Sequence, residues 1–299
     1  MAINTLEMAK LFQKNLDLLA VQEMLTGWMD ANAGQVIYHG GNEVKIPKMS
    51  IVGMADYDRD NGYVQGGLTL AYETFKMTQD RGRKFQIDEM DVDETNFIAT
   101  ASTAMGEFQR TQVVPEIDAY RLSKLATIAM DASQNGTKKD TVLRSFKEGI
   151  KTVREEGFTG PLVIHATFDV AMEYELEMAG KLTAQTFSVG GVDTTVPSID
   201  GVPIIKTSSD RMVTAIKTRD GKTVGQEAGG FEKGTSAKNV DFIVVAANVP
   251  IAITKQDKMR IFDPNTNQAA DAWAMDYRRY HDVWVMDNKK KGLYVQLGE

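Results

Sequence analysis

Apolar positions along residues 4–29 recur with a helical period. Met8, Leu11, Phe12, Leu18, Leu19 and Leu25 gather on one broad face, with Lys10, Gln13 and Asp17 opposite. Gly34, Gly40 and Gly41 then interrupt the pattern, so this stretch reads as an arm on a tether, able to dock on its own core or on a neighbour. Over residues 44–91 the period changes. Val44-Lys45-Ile46, the run from Leu68 to Met77, and Lys84 to Asp88 read as strands, with turn chemistry at Gln79-Asp80-Arg81-Gly82 between the last two. Between the first two lies ADYDRDNGYVQGG, polar and glycine-rich. The segment has too few large apolar residues for a core, and an isolated ribbon is marginal in water. Two arms of about 20 residues reach up to ~65 Å, against a body about 45 Å across built from the other ~250 residues. The ribbon is therefore expected to overhang its own domain and to need a second chain.

A helical period returns over 92–110, where Phe97, Ile98, Ala101, Ala104, Met105 and Phe108 fall within a stripe roughly 120° wide. Asp91 and Glu94 resemble a capping box at its start. Pro115 suits the first turn of a second stretch through Ile117, Leu122, Leu125 and Ile128, which makes either one kinked helix or a broken pair. Gln134-Asn135-Gly136 is expected to end it. Further on, 140–156 and 168–179 are helical in pattern. Strand patterns fall at 161–165, 202–205, 241–247, 251–254 and 259–262, and the chain closes with 273–280, 283–286 and 293–297. Five glycines in 220–238 predict a mobile loop. Helices and strands mix without a repeating βα beat, which argues for an α+β fold.

A length of 299 residues implies about two domains at ~150 residues each, and 42% hydrophobic with 25% charged residues is a globular balance. Cysteine is absent, which removes disulfides, thiolate metal sites and cysteine nucleophiles. No apolar run approaches the ~20 residues of a membrane helix, and the first residues lack a signal-peptide layout, so a soluble, unexported chain is expected. The net charge of −7 disfavours a tight grip on nucleic acid along the whole chain.

Chemistry is sparse. Asp56, Asp58 and Asp60 alternate as calcium ligands do, but the positions that need Gly and a bidentate carboxylate hold Asn61 and Gly67. The acidic run Asp88, Glu89, Asp91, Asp93 and Glu94 better complements the dipole of the following helix than an ion. Gly221-Lys222-Thr223 ends like a phosphate loop, yet Ile216 stands where that loop needs its first Gly. His39, His165 and His281 have no metal spacing; His281 in Arg278-Arg279-Tyr280-His281-Asp282 reads as an edge-strand residue rather than an acid–base group. Trp273, Trp284 and Tyr294 read as core or interface anchors. No catalytic, cofactor-binding or metal residue is assigned, and an enzyme is not expected.

Taken in order, DEMDVDETNF, VVPEIDAYRLSKLA, IDGVPIIKTSSDRM and FIVVAANVPIAITKQDKMRIFDPN, followed by DYRRYHDVWVMDNKKKGLYV, resemble the major capsid proteins of tailed bacteriophages, the Hong Kong 97-like shell fold. The resemblance implies an N-terminal arm at 1–43, an extended loop at 44–91, a peripheral domain with a long spine helix at 92–136, an axial domain at 137–250 and a return to the peripheral domain at 251–299. In that family 220–238 would be a candidate tip of the axial domain. It further implies pentamers and hexamers of an icosahedral shell in the virion, assembled in the bacterial host cytoplasm around double-stranded DNA touched weakly and non-specifically. A separate scaffolding protein and a portal would be partners, with a decoration protein present in some particles of the family. Certain relatives form lysine–asparagine cross-links; Lys45, Lys48, Lys76 and Lys84 with Asn265, Asn267 and Asn288 supply the residue types, but nothing fixes a pair. Two readings rival it: an encapsulin-like nanocompartment of the same fold that holds protein cargo, and an unknown soluble enzyme of α+β class.

Overall fold

The structure, a computed structural model, describes residues 24–35, 43–60, 62–88, 105–179, 183–189, 192–268, 270 and 272–298. The arm before residue 24, His39, the capping box at Asp91 and Glu94, the acidic run from Glu89 and the helical stripe before Met105 lie outside the described residues.

The largest sheet has seven strands. In spatial order they are β4 (Asn135–Thr137), β14 (Leu293–Leu297), β11 (Val240–Ala246), β5 (Leu162–Thr167), β8 (Val202–Thr207), β7 (Val192–Ile199) and β6 (Thr183–Val189). β14–β4 and β5–β8 are parallel pairs and the others antiparallel, as a mixed α+β sheet requires. Central strands buried on both faces read as unbroken apolar runs, and all six residues of β5 are buried, as is nearly all of β11. Helices α1 (Val114–Asp131), α2 (Val142–Glu155) and α3 (Phe168–Glu177) pack on the sheet and close the main core around Leu122, Phe146, Ile164 and Phe242. Thr141 caps α2 by accepting the N–H of Arg144. Gly149 on α2 is required by contact: a Cβ there would lie 2.9 Å from Tyr294 and 3.0 Å from Val244.

A second sheet has three strands in the order β12 (Pro250–Phe262), β13 (Ala272–Val285) and β3 (Gln79–Asp88). Two pairs of expected strands have fused here. 251–254 and 259–262 are one strand, because a bulge between Thr254 and Gln256 absorbs the polar interruption without breaking the ladder. β13 likewise runs unbroken through Ala272–Val285, joining the two stretches expected at 273–280 and 283–286, and Arg279 meets Asp257 across the bulged strand at 2.9 Å. The turn expected at 79–82 is strand. β3 pairs with β13 from Gln79 to Asp88, and Gly82 serves close strand approach, since a Cβ would meet the Tyr277 carbonyl at 2.7 Å.

The long helix is continuous from residue 105 to Asp131, which resolves the kinked-or-broken alternative. Pro115 supplies no N–H to the preceding turn, and Gln109–Val113 widens into a π turn in which the Val114 N–H reaches the Gln109 carbonyl. The helix ends before Gln134, at Ser133 with φ 58°, and Asn135–Thr137 is strand rather than turn. The period gave no sign of β6 and β7, which form a hairpin at the sheet edge.

Candidate intersubunit surface

Strands β1 (Glu43–Ile51) and β2 (Leu68–Lys76) form the expected ribbon, antiparallel and in register from Glu43↔Lys76 to Ile51↔Leu68. Residues opposite each other in such a ladder share a face. Val44 with Phe75 and Ile46 with Glu73 therefore lie on one face, and Met49 with Leu70 and Ile51 with Leu68 on the other. The first face is anchored. Val44 and Ile46 are 1% and 3% exposed, packed with Met77, Ile251, Ile253 and Trp284, and the Phe75 ring stacks on Trp284 at 5.8 Å. Lys48 adds ion pairs to Glu73 at 3.1 Å and to Asp287 at 3.2 Å, which raise its pKa. The second face is bare: Met49, Ile51, Leu68, Leu70 and Tyr72 are all exposed, Ile51 at 70%. Beyond them Val52, Met54, Tyr57, Tyr63 and Val64 are exposed too, in a tip closed by the Asp58–Gly62 bridge and an edge contact of Tyr57 with Tyr63.

Side chains of α1 and β13 set the angle at which this ribbon leaves the body. Asp282, fully buried in β13, accepts the N–H of Thr78 at 2.9 Å and its hydroxyl at 3.0 Å, at the junction of β2 and β3. The same carboxylate accepts the Tyr120 hydroxyl at 2.9 Å and pairs with Lys124. Burial first, and the Asp282 charge second, raise the Tyr120 pKa and keep its phenol a donor. On the other flank α1 holds the arm. Asp118 accepts from the N–H groups of Leu25 and Thr26, from the Thr26 hydroxyl at 2.6 Å and from Arg211. Arg121, fully buried, donates to the Thr26 carbonyl at 3.0 Å and pairs with Asp30 at 2.8 Å. Asn32 donates to the carbonyls of Ala247 and Pro250. These anchors explain why Gly27–Gln35 winds as a 3₁₀ helix on its own body, overlapping only the last residues of the amphipathic helix expected over 4–29.

The Arg278–Asp282 group thus has a structural task, and His281 is not on an edge. It sits in the central strand of its sheet, 3% exposed, with its pKa held well below the usual 6.5 by burial and then by Arg279, Arg121, Lys124 and Arg81. His165 is buried under Trp28, whose Nε1–H donates to its Nε2 at 3.3 Å, and burial lowers its pKa to about 3. Trp284 and Tyr294 are buried anchors, and Trp273 packs beside Met275 and Tyr277. Among the described residues no group of three or more His, Asp or Glu side chains is placed to hold a metal. Asp58 accepts the N–H of Asp60, a local turn bond. Asp220 receives the N–H groups of Lys222 and Thr223 and so caps its own loop. That glycine-rich loop is pinned as well: Arg81 donates to the carbonyls of Arg219 and Gly230, and Arg83 to that of Glu227. It lies against β3 at the ribbon base, where its glycine content predicted a mobile loop. Of the cross-link candidates, Lys48 and Lys76 are in ion pairs within the ribbon base.

Sequence pattern assigned no role to Asp118 and Arg121, and Asp282 stood out only within the Arg278–Asp282 group. The available signal was charge inside an apolar stripe, since Asp118 and Arg121 flank Ala119 and precede Leu122, which are all buried.

No family model matches the sequence, and neither does any curated protein. Solved structures do. A chain from the capsid structure of cyanophage P-SCSP1u superposes with a TM-score of 0.57 at 12% identity, over 89% of this chain and 85% of that one. A chain of Mycobacterium phage Ogopogo gives 0.56 at 10% identity, over 90% and 91%. The asymmetric unit of the bacteriophage PhiM1 mature capsid gives 0.54 at 10% identity, over 86% and 82%. The likeness is one of fold: this chain has the Hong Kong 97-like α+β architecture of tailed-phage capsid subunits.

Proposed function

We propose that the chain is a major capsid protein: a structural subunit that associates with copies of itself into pentamers and hexamers of an icosahedral shell around packaged double-stranded DNA. The observation that carries this reading is the two-faced ribbon. Its base is tied to its own body through Val44, Ile46 and Phe75, while its other face leaves Met49, Ile51, Leu68, Leu70 and Tyr72 in water. Covering apolar side chains of this size is worth about 1.5–3 kcal/mol each. A second copy is the occupant always present in an assembling shell, and repeating one modest contact around closed symmetry accumulates stability. The fold shared with phage capsid chains supports the same reading. The net charge of −7 suits a wall that lets DNA slide. A scaffolding protein, a portal and decoration proteins would complete the particle in the bacterial cytoplasm. Electron microscopy and light scattering of the expressed chain, alone and with the products of neighbouring genes, test the proposal. Closed shells are expected, and loss of shells with a folded subunit is expected when residues 52–67 are replaced by a tight turn. A concentration-independent monomer with a catalytic turnover would overturn it, and shells loaded with a protein cargo would select the nanocompartment instead.

A further inference from the structure

Beside the ribbon base, β3, the start of the long helix, β13 and the glycine-rich loop enclose a cleft of about 350 Å³. Its lining combines apolar Phe85, Phe108 and Val113 with the cations Arg81, Arg83, Arg219 and Arg279. Only Glu116 and Asp220 among its lining residues are acidic, and both are engaged. Glu116 holds Arg81 in a two-pronged pair at 2.7 and 3.1 Å, and Asp220 turns back on its own loop. Arg219 is paired with Glu232. Arg219 and Arg279 are thus paired from outside the lining, and Arg83 is the lining cation without an acidic partner among the described residues.

Three polar atoms in the lining have no hydrogen-bond partner, the hydroxyl oxygen of Tyr277, the Nε of Arg279 and the Nδ1 of His281, on side chains that are 4%, 5% and 3% exposed. Arg279 is anchored from behind, through its pair with Asp257 at 2.9 Å. Leaving a buried donor unmet costs about 1–3 kcal/mol, so such atoms mark a position where a partner belongs. Arg83 stands at the mouth. It reaches the Glu227 carbonyl at 2.9 Å, and its Nη1 lies so near Gly221 and Gly229, both at positive φ, that side chains there would crowd it.

We propose that this cleft binds a phosphate-class oxyanion, gripped by Arg83 at the mouth and by Arg279 and His281 at the floor. Guanidinium groups present planar donors that match phosphate oxygens, and apolar neighbours strengthen each charge-assisted bond by excluding water. The volume falls at the small end of ligand sites. His281, its ring fixed in the sheet, serves the anion in the tautomer that carries the proton on Nδ1. A bound anion ties the loop to the ribbon base and to the long helix, which otherwise meet the loop through arginine side chains. The anion has two sources, free phosphate or the phosphodiester backbone of DNA.

Calorimetric titration of the full chain with inorganic phosphate, against chloride at equal ionic strength, reads the site directly. Saturable binding is expected, weakened roughly tenfold or more in Arg83→Ala, because a charge-assisted bond of this kind is lost. Arg83 is exposed, and a melting curve of Arg83→Ala checks that the fold persists; Arg83→Lys should retain part of the affinity. A short DNA duplex forms the second arm. Displacement of the duplex by phosphate, with the same loss in Arg83→Ala, assigns the site to backbone phosphate; duplex binding indifferent to both assigns it to the free ion. Absence of saturable phosphate binding above the chloride control, or equal affinity in Arg83→Ala and the parent chain, overturns the proposal.

Discussion

The ribbon and the seven-stranded sheet are both ladders with large apolar side chains, and only the sheet completes its own burial. β11 pairs on both edges, to β5 and β14, and its side chains meet α1 and α2. β2 pairs on one edge, and its burial pattern becomes partly covered only from Glu73 onward, where the body begins. Pairing makes a strand; a second layer makes a core. The difference locates the unfinished layer at one face of one hairpin. It also separates two kinds of substitution, those that unfold the subunit and those that leave it folded but alone.

The largest effect is expected at the centre of the sheet. Phe242 is fully buried, with its ring edge-on to Phe146 at 4.7 Å and beside Tyr294 at 6.1 Å. Phe242→Ala should lower subunit stability by about 3–5 kcal/mol, read by urea unfolding of the unassembled chain. A loss of similar size from a ribbon-tip substitution would erase the distinction between the two regions. Next comes the joint between them. Asp282→Asn removes the charge that Lys124, Tyr120 and Thr78 share, and should cost about 2–3 kcal/mol. Its distinguishing sign is faster amide exchange at Thr78, where the ribbon swings from the body.

Sequence patterning anticipated the parts governed by local period. The helices at Val142–Glu155 and Phe168–Glu177 and the strands β5, β8, β11 and β14 fall where apolar spacing put them. The ribbon was legible for the opposite reason, because a stretch with strands at its ends and no core material between them has few folds open to it. Errors arose where tertiary contacts outweighed local chemistry. Gln79-Asp80-Arg81-Gly82 has turn composition, but a full-length ladder with β13 and the Arg278–Asp80 pair at 2.6 Å draw it into a strand. Gly27–Gln35 follows carbonyl and carboxylate anchors on α1 and β12 rather than its own period. Of the surface itself, its existence was readable and its two faces were not, since facing depends on the register between β1 and β2.

A smaller effect, confined to the body, follows from its buried histidines. The folded-state pKa of His165 is lowered to about 3 from the usual 6.5. The unfolded chain therefore binds more protons below pH 6.5, so stability is complete above that value and falls as the pH drops towards 3. At pH 5 the loss is about 2 kcal/mol. His281, lowered in the same direction by burial and four cations, adds to it. Denaturant midpoints at pH 7.5 and pH 5 test this, and His165→Gln should flatten part of the slope. A slope unchanged by His165→Gln would mean that the histidine titrates alike in both states.

The smallest effect on the subunit is expected where the effect on assembly is greatest. Met49 and Leu70 stand opposite each other on the bare face, at 56% and 57% exposure. Replacing both by serine removes little that the single chain buries, so its unfolding free energy should change by less than about 0.5 kcal/mol. In an assembly the same two side chains would each lose about 1.5–3 kcal/mol of burial, repeated at every copy. Light scattering across a dilution series should then show the serine variant failing to assemble at concentrations where the parent forms particles, with superimposable melting curves below the assembly threshold. Val44→Ala, on the opposite face of the same ribbon, is the control. It removes a packed side chain from the base and should destabilise the isolated subunit by about 1–2 kcal/mol. If the two variants behaved alike, the ribbon would have one face rather than two, and the uncovered one would no longer mark where a second copy sits.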